Sequence, residues 1–212
     1  MPEMPEVQGL VDFLADRTAG RRISVARLGS IQALKTYDPP LEDLLGATVR
    51  GAVRHGKWLD LVTEPMSDDG EAHLVCHLAR AGWLRWYEDL PRTQVRPGRS
   101  PIALRLGFDD GSGLDLTEAG TKKKLAVHLV RAAAEVPMVA TLGPDPLDAG
   151  FTAEVLAETE AEAERLAQAT GLDLVEAGWR PTVENYLGRV TKTRIIEAVR
   201  EGAGDRAADL IA

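Results

Sequence analysis

The chain has 212 residues, 44% of them hydrophobic, and carries 25 Lys+Arg against 33 Asp+Glu for a net charge of −8 at pH 7. That length has room for one well-buried domain and a smaller appendage, and no apolar run reaches the roughly 20 residues that a membrane-spanning helix needs. A single cysteine rules out a four-cysteine zinc site within this sequence, and His55, His73, His77 and His128 lack metal-ligand spacing, so neither a metal nor a cofactor is expected.

In chain order, Val7, Leu10, Val11 and Leu14 recur at helical spacing ahead of Gly20, which predicts an amphipathic helix over residues 5–18. From Ile23 to about Val130 the pattern becomes short β segments: Ile23–Leu28, Ala47–Val53, Trp58–Val62, Leu74–Leu78, Trp83–Trp86, Ile102–Phe108, Leu114–Leu116 and Leu125–Val130. Asp68-Asp69-Gly70 and Asp109-Asp110-Gly111 are turn signals between them. Many short strands behind one helix predict an α+β fold, an N-terminal helix packed on a two-layer antiparallel β-sandwich. Cys76 lies within an apolar run and reads as a reduced core residue. From Phe151 the pattern turns helical, over Thr152–Thr170, Val183–Val190, Lys192–Gly202 and Asp205–Ile211. Residues 1–150 are therefore expected to form the main domain and 151–212 a small helical C-terminal segment. No secretory signal pattern opens the chain, so a cytoplasmic (nucleoid) location is the expectation.

The chain begins Met1-Pro2-Glu3-Met4-Pro5-Glu6-Val7. Proline at position two favours removal of the initiator methionine, which would leave Pro2 as a free secondary amine. An α-amino group titrates near pH ~8, so part of it is an unprotonated nucleophile at neutral pH. A secondary amine that attacks a sugar C1′ forms an iminium ion, a covalent intermediate and an electron sink. Glu3 beside it is a candidate proton donor. The same residues also suit a plain helix start, with proline in the first turn and acids near the positive end of the helix dipole.

Three further segments bear on that choice. Arg54-His55-Gly56-Lys57-Trp58-Leu59 puts a lysine at the start of an apolar strand, and His77-Leu78-Ala79-Arg80-Ala81-Gly82 ends a strand in a tight loop. Leu142-Gly143-Pro144-Asp145-Pro146-Leu147 follows at the end of the β-rich region. With the N-terminus, these resemble the formamidopyrimidine-DNA glycosylase / endonuclease VIII family of base-excision repair enzymes. That family opens Met-Pro-Glu-Leu-Pro-Glu-Val, has a lysine in a Gly-Lys-aromatic-Leu setting, follows with a His-Leu-Gly-Met-Ser-Gly loop and closes its N-terminal domain with Leu-Gly-Pro-Glu-Pro-Leu. The resemblance covers residues 1–150 and implies the same helix-on-sandwich architecture. It implies a bifunctional DNA glycosylase and abasic-site lyase acting on oxidised bases in damaged double-stranded DNA. Pro2 would be the nucleophile at C1′, Glu3 the donor to the sugar ring oxygen, and Lys57 a phosphate contact that helps protonate the departing base. A carboxylate serves as that donor only when burial or a neighbouring charge keeps its pKa near the working pH. Glu6 would orient the N-terminus or a water; an exposed helix glutamate is an equal reading. His77, Arg80, Lys122, Lys123 and Lys124 would be DNA-binding residues.

Two departures from the family pattern stand out. Arg80 occupies the place of its void-filling methionine, and Lys122-Lys123-Lys124 that of its Arg-Arg-Phe wedge. Lysines hold phosphates but do not unstack bases as an apolar wedge does, whereas the Arg80 guanidinium plane could stack; a solvated charge run is the alternative for the lysines. Residues 1–150 carry 18 Lys+Arg against 21 Asp+Glu, and 151–212 carry 7 against 12, so only a locally basic face can meet DNA. Arg80, Arg85, Arg92, Arg96, Arg99 and the lysine run are the candidates for that face. The tail shows no Gly-Ile-Gly-Asn segment and no cysteine pairs, the marks of the family's helix-two-turn-helix module and zinc finger. Residues 176–212 instead weakly resemble the C-terminal region of ParB-type partition proteins, with self-association through the helical tail as the corresponding expectation. The alternative function is a non-catalytic or vestigial DNA-binding protein.

Overall fold

The structure is a computed structural model that describes residues 2–64, 70–98, 100–158 and 161. The first helix, α1, spans Met4–Thr18 and buries Val7, Val11 and Leu14 on one face, the stripe that its spacing predicts. Pro5 lies in its first turn, where a backbone N–H has no helical partner to lose. At the other end the Thr18 hydroxyl donates to the Leu14 carbonyl at 2.7 Å, and Gly20 turns the chain away with φ 78°.

Eight strands follow: β1 Ile23–Leu28, β2 Val49–His55, β3 Trp58–Thr63, β4 Ala72–His77, β5 Gly82–Tyr87, β6 Ile102–Phe108, β7 Gly113–Glu118 and β8 Ala126–Val130. They form two antiparallel four-stranded sheets, ordered β1-β6-β7-β5 and β2-β3-β4-β8. One core contains the α1 stripe and inward residues of both sheets, among them Leu59, Leu61, Leu74, Cys76, Leu104, Leu106, Leu116, Val127 and Leu129. This is the α+β, helix-on-sandwich architecture read from the sequence. Cys76 is buried there and burial pushes its thiol pKa up, which keeps the sulfur protonated and unreactive.

β1 and β6 have the expected bounds, and the other strands differ from the expectation by one or two residues, three of the shifts having a hydrogen-bond reason. Ala47 is not in β2, because its carbonyl accepts the Ile23 N–H at 2.9 Å. Leu78 leaves β4, because its carbonyl turns to accept the Gly82 N–H at 2.8 Å. Leu125 precedes β8, because its N–H donates to the Glu118 carboxylate at 3.0 Å instead of to a strand. Asp109-Asp110-Gly111 makes the β6–β7 turn, with Gly111 at φ 89° and Asp110 Oδ1 accepting the Ser112 N–H at 3.0 Å. Asp68 and Asp69 lie outside the described residues.

The strand β3 is buried on both faces except at Val62. Its outer face is covered by a 3₁₀ turn, Ala133–Glu135, and a short helix α2, Pro137–Ala140; Trp58, Val75, Val130 and Val136 form a second small core there. In the other sheet, Arg105 and Asp115 sit opposite each other and form a buried two-pronged ion pair, both contacts at 2.7 Å. Arg105 Nη1 also donates to the Pro91 and Thr93 carbonyls at 2.8 Å, anchoring the long β5–β6 connection.

Pro2 and the described residues of Glu6–Thr141 form one compact unit, and Glu3–Pro5 group with the described residues from Leu142 onward. In that second unit residues 153–158 are helical, within the expected Thr152–Thr170 segment. The later helices expected at Val183–Val190, Lys192–Gly202 and Asp205–Ile211, and the partition-like segment 176–212, lie outside the described residues.

Candidate nucleic-acid interface

Lys57 stands on a two-residue β2–β3 hairpin, since His55 and Trp58 are the last paired residues. Gly56, the first turn residue, has φ 56°, a conformation that glycine takes without penalty. Arg54 braces this turn from behind: Nη1 donates to the Gly56 carbonyl at 3.1 Å, and Nε donates to Gln8 Oε1 at 2.7 Å. Gln8 is on the second turn of α1, so one side chain ties the beginning of the helix to the lysine hairpin. Pro2 is buried, Glu3 and Lys57 are half-buried, and Glu6 is exposed. His77 is the partner of Trp58 across β3–β4, with ring centroids 4.8 Å apart. Burial, aided by the Lys57 charge, pushes the His77 pKa down. At neutral pH His77 is therefore an uncharged ring that can donate one N–H, not a cation.

Arg80 and the three lysines lie on two adjoining loops. The β4–β5 turn carries Ala79 at φ 54°, in the left-handed region. Gly82, which follows it at the start of β5, has to be glycine: a Cβ there would stand 2.0 Å from the Leu78 carbonyl oxygen. The Ala119 N–H donates to the Ala81 carbonyl at 3.1 Å and so joins this turn to the β7–β8 loop. Glu118 organises that second loop. Its buried carboxylate Oε1 accepts the N–H groups of Lys124 at 2.7 Å and Leu125 at 3.0 Å, and its carbonyl accepts from Lys123 Nζ. Arg80, Lys122, Lys123 and Lys124 are all exposed.

The strand directions put these features at one end of the sandwich: the starts of β3, β5 and β8, the ends of β4 and β7, and the second turn of α1. Exposed acids gather at the other end. Asp109 and Asp110 are in the β6–β7 turn and Glu88 follows β5, with the half-buried Glu71 just before β4. Several of them are paired there, Glu88 with Arg17, Asp110 with Arg21 and Glu71 with Arg50. A chain of net negative charge thus presents a locally basic end, the arrangement that can neutralise a polyanion. Arg85 is exposed on β5, Arg92 and Arg96 are exposed on the β5–β6 connection, and Arg99 lies outside the described residues.

One cluster was not foreseen from the sequence, which treated His55, His73 and His128 as ordinary strand or loop residues. Asp60, 1% exposed on β3, accepts from His55 Nε2 at 3.0 Å and His73 Nδ1 at 2.9 Å through the same oxygen, Oδ2. The two histidine hydrogen bonds hold the Asp60 carboxyl below its usual range against the opposing effect of burial, and Asp60 in turn raises His73. The signal was an acid in the middle of the apolar run Trp58-Leu59-Asp60-Leu61-Val62. His55 and Asp60 flank the Lys57 turn, so the network helps fix that hairpin to β4. Among the described residues no group of His, Cys, Asp and Glu is arranged to hold a metal ion.

A helix laid on a two-sheet sandwich, with exposed cations on the loops at one end, defines an α+β domain with a locally basic end. The family model for the formamidopyrimidine-DNA glycosylase N-terminal domain matches residues 1–124. The chain belongs to the formamidopyrimidine-DNA glycosylase family. It is 35% identical over 162 residues to the formamidopyrimidine-DNA glycosylase of Symbiobacterium thermophilum, covering 74% of this chain and 49% of the relative. To that of Mycobacterium ulcerans it is 30% identical over 229 residues, covering 97% of this chain and 76% of the relative. The chain thus spans about half the length of the first of these. Among solved structures, the Lactococcus lactis protein in complex with abasic-site DNA has a similar fold, with TM-score 0.54 and 22% identity over 68% of this chain and 51% of that one. The LlFpg protein in complex with a THF-DNA and an inhibitor matches with TM-score 0.55 at 24% identity, over 72% of this chain and 51% of that one.

Proposed function

We propose that this chain is a DNA glycosylase with abasic-site lyase activity, acting on oxidised bases in double-stranded DNA through the amine of Pro2. The observation that carries the reading is the Gln8–Arg54–Gly56 link, which couples the start of α1 to the Lys57 hairpin at the basic end. In this mechanism the Pro2 nitrogen bonds to C1′ as the bond from C1′ to the base breaks, Lys57 assists protonation of the leaving base, and the nitrogen then gives up its own proton to solvent, which restores its lone pair. Glu3 protonates the ring oxygen O4′; the C1′–O4′ bond opens and the nitrogen lone pair completes the iminium. The iminium acidifies the C2′ proton, whose loss expels the 3′ phosphate by β-elimination. A second proton loss, at C4′, expels the 5′ phosphate by δ-elimination, and water hydrolyses the iminium to release Pro2. Arg80, Lys122, Lys123 and Lys124 hold phosphates on either side of the lesion, His77 donates to one as a neutral ring, and Glu6 orients the N-terminus. No step needs a cofactor. On this reading the reaction would occur with the nucleoid, in the cytoplasm.

The burial of Pro2 favours a second reading, a non-catalytic DNA-binding relative. The two are separated by a duplex oligonucleotide with one oxidised base. The enzyme reading expects base release and strand scission, with Lys57→Ala slowing release on the order of 10²-fold, the contribution of a positioned proton donor, and slowing scission at a ready-made abasic site less. Binding without release, by a chain whose N-terminus is Pro2, would establish the second reading.

A further inference from the structure

Isolated apolar side chains on a surface need no explanation, but Trp83 is 57% exposed in a particular setting. It lies on β5, an edge strand, directly after the Ala79–Ala81 turn that carries Arg80. Its partner on β7 is Thr117, next to Glu118, the residue that shapes the Lys122–Lys124 loop. Arg85 and Tyr87 follow on the same face of the strand, and the Arg85 guanidinium lies 5.1 Å over the Tyr87 ring. Alternate residues of a strand are about 6.6–6.8 Å apart, so an indole, a cation and an aromatic ring are laid out along one line that starts at the basic end. The acids on β5, β7 and the two adjoining loops are Asp115 and Glu118. Both are buried, Asp115 paired with Arg105 and Glu118 with main-chain N–H groups. Five exposed cations, Arg80, Arg85, Lys122, Lys123 and Lys124, therefore lie on β5 and the two loops at its basic end, with no exposed carboxylate on those two loops or on β5 and β7.

We propose that Trp83 is a stacking platform for single-stranded DNA, receiving an unpaired base while Arg80, Arg85 and Lys122–Lys124 hold the adjoining phosphates. A flat ring among cations is the combination by which proteins hold unpaired strands, because every base offers a π face whatever its identity. A paired duplex keeps its bases stacked on each other and offers none to a side chain on a sheet surface. The consequence is that, beside duplex DNA, this end of the domain also takes unpaired or locally melted strands. The proposal rests on the reading that this end of the domain meets DNA, and it supplies by stacking what the three lysines do not supply by wedging.

The test is fluorescence anisotropy at low salt with a labelled oligothymidylate and with a labelled duplex, for the wild-type chain, Trp83→Ala and Trp83→Phe. Removing one base–aromatic stack weakens binding on the order of 5- to 150-fold. That loss is expected for Trp83→Ala on the single strand, with most affinity retained in Trp83→Phe and less than a twofold change on the duplex. Unchanged single-strand binding in Trp83→Ala overturns the stacking role and leaves the basic-end reading standing. No binding of either DNA by the wild-type chain overturns both. A sedimentation shift from dimer to monomer in Trp83→Ala, with DNA affinity unchanged, assigns the indole to a contact between copies and also overturns the proposal.

Discussion

Replacing Glu118 by alanine tests how the lysine loop is held. The carboxylate is 3% exposed and accepts two main-chain N–H groups, at 2.7 and 3.0 Å. A buried donor left without an acceptor costs about 1–3 kcal/mol. Leu125 is buried, so its N–H bears the full loss, whereas Lys124 is exposed and water reaches its N–H. Glu118→Ala should therefore lower unfolding free energy by about 2–3 kcal/mol. Glu118→Gln keeps one oxygen acceptor but loses the charge assistance that roughly doubles such a bond, and should cost about 1 kcal/mol. Urea unfolding at pH 7 measures both. The functional counterpart is the salt dependence of DNA affinity, in which each lysine–phosphate contact contributes about 0.9 to the slope of log K against log salt. A loosened loop should lower that slope by about one to two. An alanine variant within about 0.5 kcal/mol of wild type and with an unchanged slope would refute this account of the loop.

Ala79 adopts φ 54°, where glycine carries no Cβ penalty; Ala79→Gly should raise stability by about 0.5–1 kcal/mol, and a loss in urea unfolding would contradict the strain. Because His73 is raised above its unfolded value of 6.5, its partnership with Asp60 stabilises fully below pH 6.5 and fades as pH rises through the folded value. Asp60 is lowered, so its contribution holds above its unfolded value of 3.8 and is lost as pH falls through the folded one. Asp60→Asn should accordingly cost more at pH 5.5 than at pH 8, and a pH-independent difference would count against the pairing. His77 and His128, both lowered by burial, make wild type and variant alike less stable below pH 6.5 and cancel in the comparison. Arg105→Met leaves Asp115 buried without its ion pair and should cost about 3–5 kcal/mol, most of it recovered in Arg105→Met with Asp115→Leu; equal thermal unfolding of single and double variants would dismiss the argument.

The helix and strands were legible because burial imposes a period of 3.6 on α1 and of two on strands such as β5, where Trp83 and Arg85 alternate with Leu84 and Trp86. Strand ends were not, because they depend on where a single carbonyl or N–H finds its partner, as at Ala47, Leu78 and Leu125. The turn positions of Lys57 and Arg80 were legible because their local motifs fold as local turns. The His55–Asp60–His73 cluster was hidden because its members meet only across three paired strands. Arg54 was hidden for a similar reason: its partner Gln8 is 46 residues away. The neutral state of His77 follows from burial and a neighbouring lysine, neither of which is written in the His-Leu-x-x-x-Gly motif.

The central claim, that Pro2 is the nucleophile, is tested most directly by borohydride trapping on a duplex with one abasic site. Reduction fixes the iminium as a stable adduct between protein and DNA. The account predicts a trapped complex with the chain that begins at Pro2, its attachment mapped to the Pro2 nitrogen, and its loss when that nitrogen is acetylated. No adduct from a folded chain shown by mass spectrometry to begin at Pro2, or an adduct mapped to a lysine and undiminished by acetylation of the Pro2 nitrogen, would contradict it.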